Sequence, residues 1–320
     1  MRKLVTATLV GVSFIGAAAA AIPAIADPTA GTYRQLSGVG SDTTDPVMDG
    51  LSNAITISGV KVIGNYNAVG TATIATKADP KCAAIARPNG SGAGRTALDA
   101  SLTAGDGCID FARSSSGVAT TTNPMTWVPF ATDAVAFAVR SDGAVAKSMT
   151  TAELVSVFKC QVPTVHPVLP QAGSGTRSFW LGKMGVTEAD IAAGTYPCLT
   201  GAGTATSRAY VQEHDARKLR TDEVMPFSAS QWNAQSTGVI ADVRGKSVLG
   251  TLDNVPASTL TTTYPYARNV YNIVPTSKIG TAPWSTVFVG SSSLVCAQTA
   301  VITKYGFAPA ANCGDTSAHS

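Results

Sequence analysis

The chain has 320 residues, of which 45% are apolar and 13% are charged, a composition that excludes a disordered chain and gives enough length for two domains with cores of their own. Its 23 basic and 20 acidic side chains give a formal net charge of +3. Such a small charge excludes nucleic acid or an anionic membrane as a partner held by bulk electrostatics.

The first 26 residues have the pattern of a secretory signal peptide. Arg2 and Lys3 are followed by an apolar run of small residues at 4–21 and by the motif AIA at 24–26, so we expect cleavage after Ala26. A membrane anchor is the alternative, but the run is short and Pro23 interrupts it. We therefore expect a secreted protein, in the medium, cell wall or periplasm, with no membrane insertion.

Strand-like and helix-like segments alternate along the remaining chain, which predicts an α/β fold. Apolar residues four apart predict helices at 47–55 and near 98–102, and capping-box pairs predict helix starts at Thr150 with Glu153 and at Thr187 with Asp190. Runs rich in β-branched and aromatic residues predict strands at 60–66, 134–139 and 269–274.

The six cysteines are expected to form three disulfides, because their number is even and export places them in an oxidising compartment. Their positions fall into three separate couples, which favours Cys82–Cys108, Cys160–Cys198 and Cys296–Cys313. The sequence contains no CxxC motif, and its three histidines, His166, His214 and His319, are scattered. We therefore predict neither a metal site nor a cofactor.

Turns of glycine, serine and threonine recur at 40–44, 90–94, 113–117 and 173–176. Such turns can bind an anion, because the first helical N–H groups lack internal partners and hydroxyls add further donors. Each turn alone is more readily explained as an ordinary helix cap, whereas the set of four, in this order and spacing, favours a binding site. The candidate ligand-binding residues are Ser41, Asp42, Thr43, Ser91, Gly92, Arg113, Ser114, Ser115, Ser174, Gly175 and Thr176.

The order of these turns resembles the phosphate-binding-protein-like family, the type II periplasmic solute-binding proteins. The matching segments are GVGSDT at 38–43, GSGAG at 90–94, DFARSS at 110–115 and GSGT at 173–176. The match at 212–215, where the family has a further cleft loop, is looser, as is the one at 236–240, where its chain returns between lobes.

This resemblance implies a two-lobed type II periplasmic-binding-protein fold with two crossing strands as the hinge. Residues 27–130 and 246–320 would form lobe 1, and residues 131–245 would form lobe 2. The implied function is capture of a small oxyanion, phosphate or a phosphate-like ion, by a monomer without enzymatic activity. The resemblance also implies an ABC importer permease as the macromolecular partner.

Two positions depart from the family pattern. Pro170 stands where the family has an arginine, and Ser115 stands where it has the acid that accepts the proton of hydrogen phosphate. Arg113 or Arg177 could supply the cation, and Asp42 could supply the acceptor. If Asp42 faces the ligand, a protonated oxyanion is favoured over sulfate, because sulfate has no hydrogen to donate. Otherwise Asp42 is a helix cap, Arg113 forms a salt bridge and Arg177 points to solvent.

Two other functions fit the sequence less well. A structural or adhesive surface protein could use the same scaffold without a small ligand. A secreted serine hydrolase would need Ser174 as nucleophile and His214 with Asp215 as its base. The motif around Ser174 lacks the spacing of a nucleophile elbow, so we predict that the protein is not an enzyme.

Overall fold

The computed structural model describes residues 27–200, 211–257 and 264–320. The predicted signal peptide lies outside these residues. In the described part of the chain, no helix combines the length and the apolar character needed to cross a membrane.

The described residues form a mixed α/β structure with eight α-helices and sixteen strands. The helices are α1 Asp45–Ala54, α2 Ser91–Ala104, α3 Thr151–Phe158, α4 Gly175–Met184, α5 Glu188–Ala192, α6 Ala229–Ser236, α7 Trp284–Phe288 and α8 Thr299–Lys304. The strands are β1 Leu36–Gly40, β2 Thr56–Ile57, β3 Val60–Lys61, β4 Ile63–Asn65, β5 Thr73–Ile74, β6 Ile85–Ala86, β7 Phe111–Ser114, β8 Met125–Arg140, β9 Ser148–Met149, β10 His166–Pro167, β11 Glu223–Ser228, β12 Ser247–Leu249, β13 Thr251–Leu252, β14 Val255–Pro256, β15 Ala267–Pro275 and β16 Ala308–Pro309.

Both predicted capping boxes are confirmed at the starts of α3 and α5. Thr150 Oγ1 accepts from the N–H of Glu153 at 3.2 Å, and the carboxylate of Glu153 accepts from the N–H of Thr150 at 2.7 Å. The predicted strand at 60–66 is divided into β3 and β4. The reason is that β3 pairs with β2 in a hairpin, whereas β4 joins β1 in the main sheet.

The main sheet runs in the order β10-β11-β8-β15-β7-β1-β4. β8 is 16 residues long and almost fully buried. Its first part pairs with β15 over Met125 to Ala134, and its last part pairs with β11 and β12. β8 therefore runs from one half of the sheet to the other. β15 pairs with the part of β8 that lies in the first half.

Two separate sets of buried side chains pack at the two ends of this sheet. One set draws on residues 36–131 and 270–307, and the other on residues 134–266. We call the regions around these cores lobe 1 and lobe 2. The two-lobed α/β fold is thus confirmed, whereas the lobe boundaries stay a prediction. The buried side chains of Leu252, Ala257, Tyr264 and Tyr266 pack in the core of lobe 2, although the predicted boundaries placed residues 246–320 in lobe 1.

All three predicted disulfides are present, with Cα–Cα distances of 5.3 Å for Cys82–Cys108, 5.6 Å for Cys160–Cys198 and 5.8 Å for Cys296–Cys313. The first and third lie in lobe 1 and the second lies in lobe 2. Each bridge joins segments of the same lobe, so none of them ties one lobe to the other.

Candidate functional site

The predicted turns follow strand ends or begin helices, so the sheet brings several of them to one edge. Ser41 directly follows β1, and Ser115 directly follows β7. These strands are parallel neighbours, with Gly40 opposite Arg113. Because the carboxyl ends of parallel strands share an edge, the two serines meet there.

Four hydroxyl groups of lobe 1 form one buried cluster. The Oγ of Ser115 lies 3.1 Å from the Oγ of Ser41, 3.3 Å from the Oγ of Ser91 and 3.3 Å from the Oγ1 of Thr43. Ser91 is the first residue of α2, and its Oγ also accepts from the N–H of Ser115 at 2.9 Å. Three of the four predicted turns therefore converge within hydrogen-bond distance.

The fourth turn joins this cluster from lobe 2. Thr176, in the first turn of α4, places its Oγ1 3.2 Å from the Oγ1 of Thr43. The N–H of Gly92 donates to the carbonyl of Gly173 at 3.0 Å. The two lobes are thus in direct contact at the predicted site, which we call the hydroxyl cluster: Ser41, Thr43, Ser91, Ser115, Ser174 and Thr176.

Glycine at position 175 is required by this close approach. A Cβ atom there would lie 2.3 Å from the Oγ of Ser91 and 2.4 Å from the Oγ of Ser115. Both distances are shorter than a real Cβ contact, so a side chain at this position would displace these two serines or separate the lobes.

The carboxylate of Glu213 lies in the middle of the hydroxyl cluster. Its Oε1 accepts from Thr43 at 2.7 Å and from Thr176 at 3.0 Å, and its Oε2 accepts from Ser174 at 3.3 Å. The side chain is fully buried. Hydroxyl groups of both lobes therefore hold a pair of anionic oxygens.

A buried ion pair borders the cluster. Arg268, near the start of β15, contacts the carboxylate of Asp133 at 2.9 Å and donates to the Oγ1 of Thr176 at 2.8 Å. Its other amino group donates to the carbonyl of Ser115 at 2.9 Å. The guanidinium thus contacts the turns of both lobes, although no sequence pattern predicts this role for Arg268. No local motif marks Arg268, because its role depends on the pairing of β15 with β8, which places it opposite Asp133.

Asp42, Glu213 and His214 form a titratable group beside the hydroxyl cluster. Burial raises the pKa of Asp42 well above its ordinary value, and the charge of Glu213 adds to this rise. Burial also acts to raise the pKa of Glu213, but His214 and the hydrogen bond from Thr43 outweigh it and hold this pKa below its ordinary value. Burial lowers the pKa of His214.

Three candidate residues have partners elsewhere. Arg113 is fully buried and bonds to Asp45 and Asn65 inside lobe 1. The hydroxyl of Ser114 donates to the carbonyl of Ser116 at 2.8 Å. Arg177 is buried rather than directed to solvent, so that expectation is wrong, and it pairs with Glu188 of α5 at 2.6 Å. Of the three arginines Arg113, Arg177 and Arg268, the last is the one whose guanidinium donates to a hydroxyl of the cluster, the Oγ1 of Thr176.

The hydrolase alternative required His214 beside Ser174. Instead, the Nδ1 of His214 faces the Oδ2 of Asp42 at 4.0 Å. The Oγ of Ser174 caps α4 by accepting from the N–H of Arg177 at 3.2 Å, and its other neighbour is Glu213. This arrangement gives the serine no imidazole base.

The model of the PBP superfamily domain matches residues 25–290 of the chain. The chain belongs to the PBP superfamily. No curated protein sequence matches it. Membership of this superfamily agrees with the two-lobed fold and with the order of the turns that the sequence presents.

Solved structures with the same fold include several phosphate-binding proteins. One is described as a phosphate ABC transporter substrate-binding protein with bound phosphate from Clostridium perfringens, with 15% identity, coverage of 86% of this chain and 99% of that chain, and a TM-score of 0.54. An ABC-type phosphate transport receptor from Vibrio cholerae has 17% identity, coverage of 85% and 99%, and a TM-score of 0.50. A human phosphate-binding apolipoprotein has 14% identity, coverage of 86% and 90%, and a TM-score of 0.51. At these identities the likeness concerns the fold.

Proposed function

We propose that this PBP-superfamily protein is an exported solute receptor that captures a small oxyanion, phosphate or a chemically similar ion, between its lobes. The observation that carries the proposal is that Thr43 and Thr176, from opposite lobes, donate to one carboxylate oxygen of Glu213. Phosphate oxygens accept the same kind of hydrogen bond as carboxylate oxygens. An oxyanion that enters the cleft would take over these donors from Glu213.

The acids beside the cluster favour a ligand that carries hydrogen. Ionised Asp42 and Glu213 can only accept hydrogen bonds, so a fully ionised tetrahedral anion would be repelled by them. Monohydrogen or dihydrogen phosphate can donate its own hydrogen to either carboxylate. The family has an arginine where this chain has Pro170, and Arg268 can supply that positive charge instead. Its guanidinium already contacts Ser115 in lobe 1 and Thr176 in lobe 2.

We further propose that the receptor binds its solute without transforming it and delivers it to a membrane permease. Direct lobe-to-lobe contact at 3.2 Å between Thr43 and Thr176 suits a protein that closes around a ligand. The three disulfides lie within single lobes and would not restrain such closure.

Equilibrium dialysis with radiolabelled phosphate, in a buffer that contains a chelator, tests the proposal. We expect one site per chain and a Kd well below about 1 mM. Thr43→Val and Thr176→Val should each weaken binding about 10- to 100-fold, because each removes a hydrogen bond to a charged group. The exposed Thr195→Val variant is the control and should bind like the wild type. Saturation only above the millimolar range, or equal binding by all three variants, would contradict the proposal.

A further inference from the structure

Two buried polar atoms in the cleft face each other without a hydrogen-bond partner in the described part of the chain. They are the Oδ2 of Asp42 and the Nδ1 of His214, and they lie 4.0 Å apart. This distance is too long for a direct hydrogen bond. Asp42 is only 4% exposed, so water outside the protein cannot readily compensate its carboxylate. Buried polar atoms are normally satisfied, so a group that bridges Asp42 and His214 would satisfy both.

Glu213 completes a set of three ligand atoms. One carboxylate oxygen of Asp42, one of Glu213 and one imidazole nitrogen of His214 all lie within 4.8 Å of one another. Two carboxylates with one imidazole suit a divalent first-row metal ion such as Zn²⁺ better than Ca²⁺ or Mg²⁺, which prefer larger sets of oxygen ligands. Ligands bound to zinc at about 2.1 Å lie roughly 3.4 Å apart in a tetrahedron. A small inward shift of the side chains would therefore give coordination geometry.

Hydrogen bonds fix the positions of these three residues. The carbonyl of Glu213 accepts from the N–H of Ser228 at 2.9 Å, and the carbonyl of His214 accepts from the side chain of Gln235 at 2.7 Å. The Oδ1 of Asp42 accepts from the N–H of Thr43 at 3.1 Å, which leaves Oδ2 as the unpaired oxygen. The imidazole is 25% exposed, so an ion can reach it from solvent.

We propose that Asp42, Glu213 and His214 form a binding site for one divalent transition-metal ion of the zinc type. The ion would offset the charge of two adjacent buried carboxylates and would leave a fourth position for water. This site goes beyond the proposed oxyanion function and does not depend on it. A proton shared between Asp42 and Glu213 is the competing way to satisfy the same groups, and the experiment separates the two.

Isothermal titration with ZnCl₂ tests the site, on protein that is purified without a polyhistidine tag, treated with chelator and kept in phosphate-free buffer. We expect one ion per chain at micromolar affinity or tighter. His214→Ala should weaken zinc binding at least 10-fold, and Asp42→Asn should do the same. Co²⁺ should give visible absorption bands of a low-coordinate site in the wild type, and these bands should be lost in His214→Ala. Thermal melting of each variant verifies that it is folded.

The matched control is His166→Ala. His166 also has a carboxylate neighbour, Asp222 at 3.1 Å, but this pair is exposed on the surface. The control should bind zinc like the wild type. The absence of a 1:1 site, which indicates a shared proton only, or unchanged binding by folded His214→Ala, would overturn the proposal. Because phosphate binding is measured with chelator present, failure of the zinc site leaves the oxyanion result unaffected, and the reverse also holds.

Discussion

At the scale of single residues, the role of each polar side chain is decided by its partner. Arg113 and Arg268 are both buried arginines close to the turns, yet Arg113 is paired with Asp45 within lobe 1, whereas Arg268 donates to Thr176 across the cleft. The sequence places Arg113 in one of the predicted turns, whereas no motif marks Arg268. The partner of Arg268, Asp133, is 135 positions away, so no local pattern could reveal the pair.

Removing one buried acid should change which tetrahedral anion binds. In Asp42→Asn and Glu213→Gln, an amide that can donate replaces a carboxylate that, when ionised, can only accept, so sulfate is penalised less for having no hydrogen to donate. We expect the ratio of sulfate to phosphate affinity to rise about 10-fold or more in either variant. Competition dialysis with chelator present measures this ratio.

Glu188→Gln is the control for this experiment, because Glu188 pairs with Arg177 outside the hydroxyl cluster. Its sulfate-to-phosphate ratio should equal that of the wild type. An unchanged ratio in both Asp42→Asn and Glu213→Gln would mean that these acids do not select the ligand.

At the scale of elements, the site is built from strand ends and helix starts that approach one another closely. Gly175→Ala in α4 would place a methyl group against Ser91 and Ser115. Such overpacking typically costs about 1–3 kcal/mol. Here the clash lies between the two lobes, so it should destabilise their contact more than the folding of either lobe. We expect phosphate affinity to fall about 10-fold and the radius of gyration in solution scattering to increase.

Gly182→Ala is the matched control in the same helix. A Cβ at Gly182 meets no atom within 4 Å, and alanine favours helix over glycine by up to about 1 kcal/mol. This variant should melt at the same or a higher temperature and bind phosphate normally. If Gly175→Ala also bound phosphate normally, the turns would not need to meet for binding.

The first helix should make folding stability depend on pH. Burial raises the pKa of Asp49 in α1 to about 6, against the opposing hydrogen bonds of Asn65 and Asn67. Since the folded state holds the proton more tightly than the unfolded state, the free energy of unfolding should fall as pH rises from about 4 to about 6. The loss attributable to Asp49 should reach at most about 3 kcal/mol, the full value of this rise in pKa.

Urea unfolding of the wild type and Asp49→Asn at several pH values isolates this effect. The stability of the wild type relative to the variant should be larger at pH 4 than at pH 7. A difference that is constant over this range would show that Asp49 does not retain its proton in the folded state.

At the scale of the whole molecule, local signals in the sequence predict much of the fold but only part of the site. Capping at Thr150 and Thr187 and the three disulfides depend on residues close in sequence or grouped in couples, and all are as predicted. The hydroxyl cluster also begins with local turns. Glu213 and Arg268 enter it through a loop and a crossing strand, so their positions depend on how the two lobes meet.

The central claim is that an oxyanion binds where hydroxyl groups from both lobes meet. A crystal structure of the protein with arsenate, a phosphate analogue that anomalous scattering locates directly, tests this claim. We expect one arsenate within hydrogen-bond distance of Thr43, Ser91, Ser115 and Thr176, with the carboxylate of Glu213 no longer at these donors. Arsenate bound only outside the cleft, with Glu213 still held by Thr43 and Thr176, would contradict it.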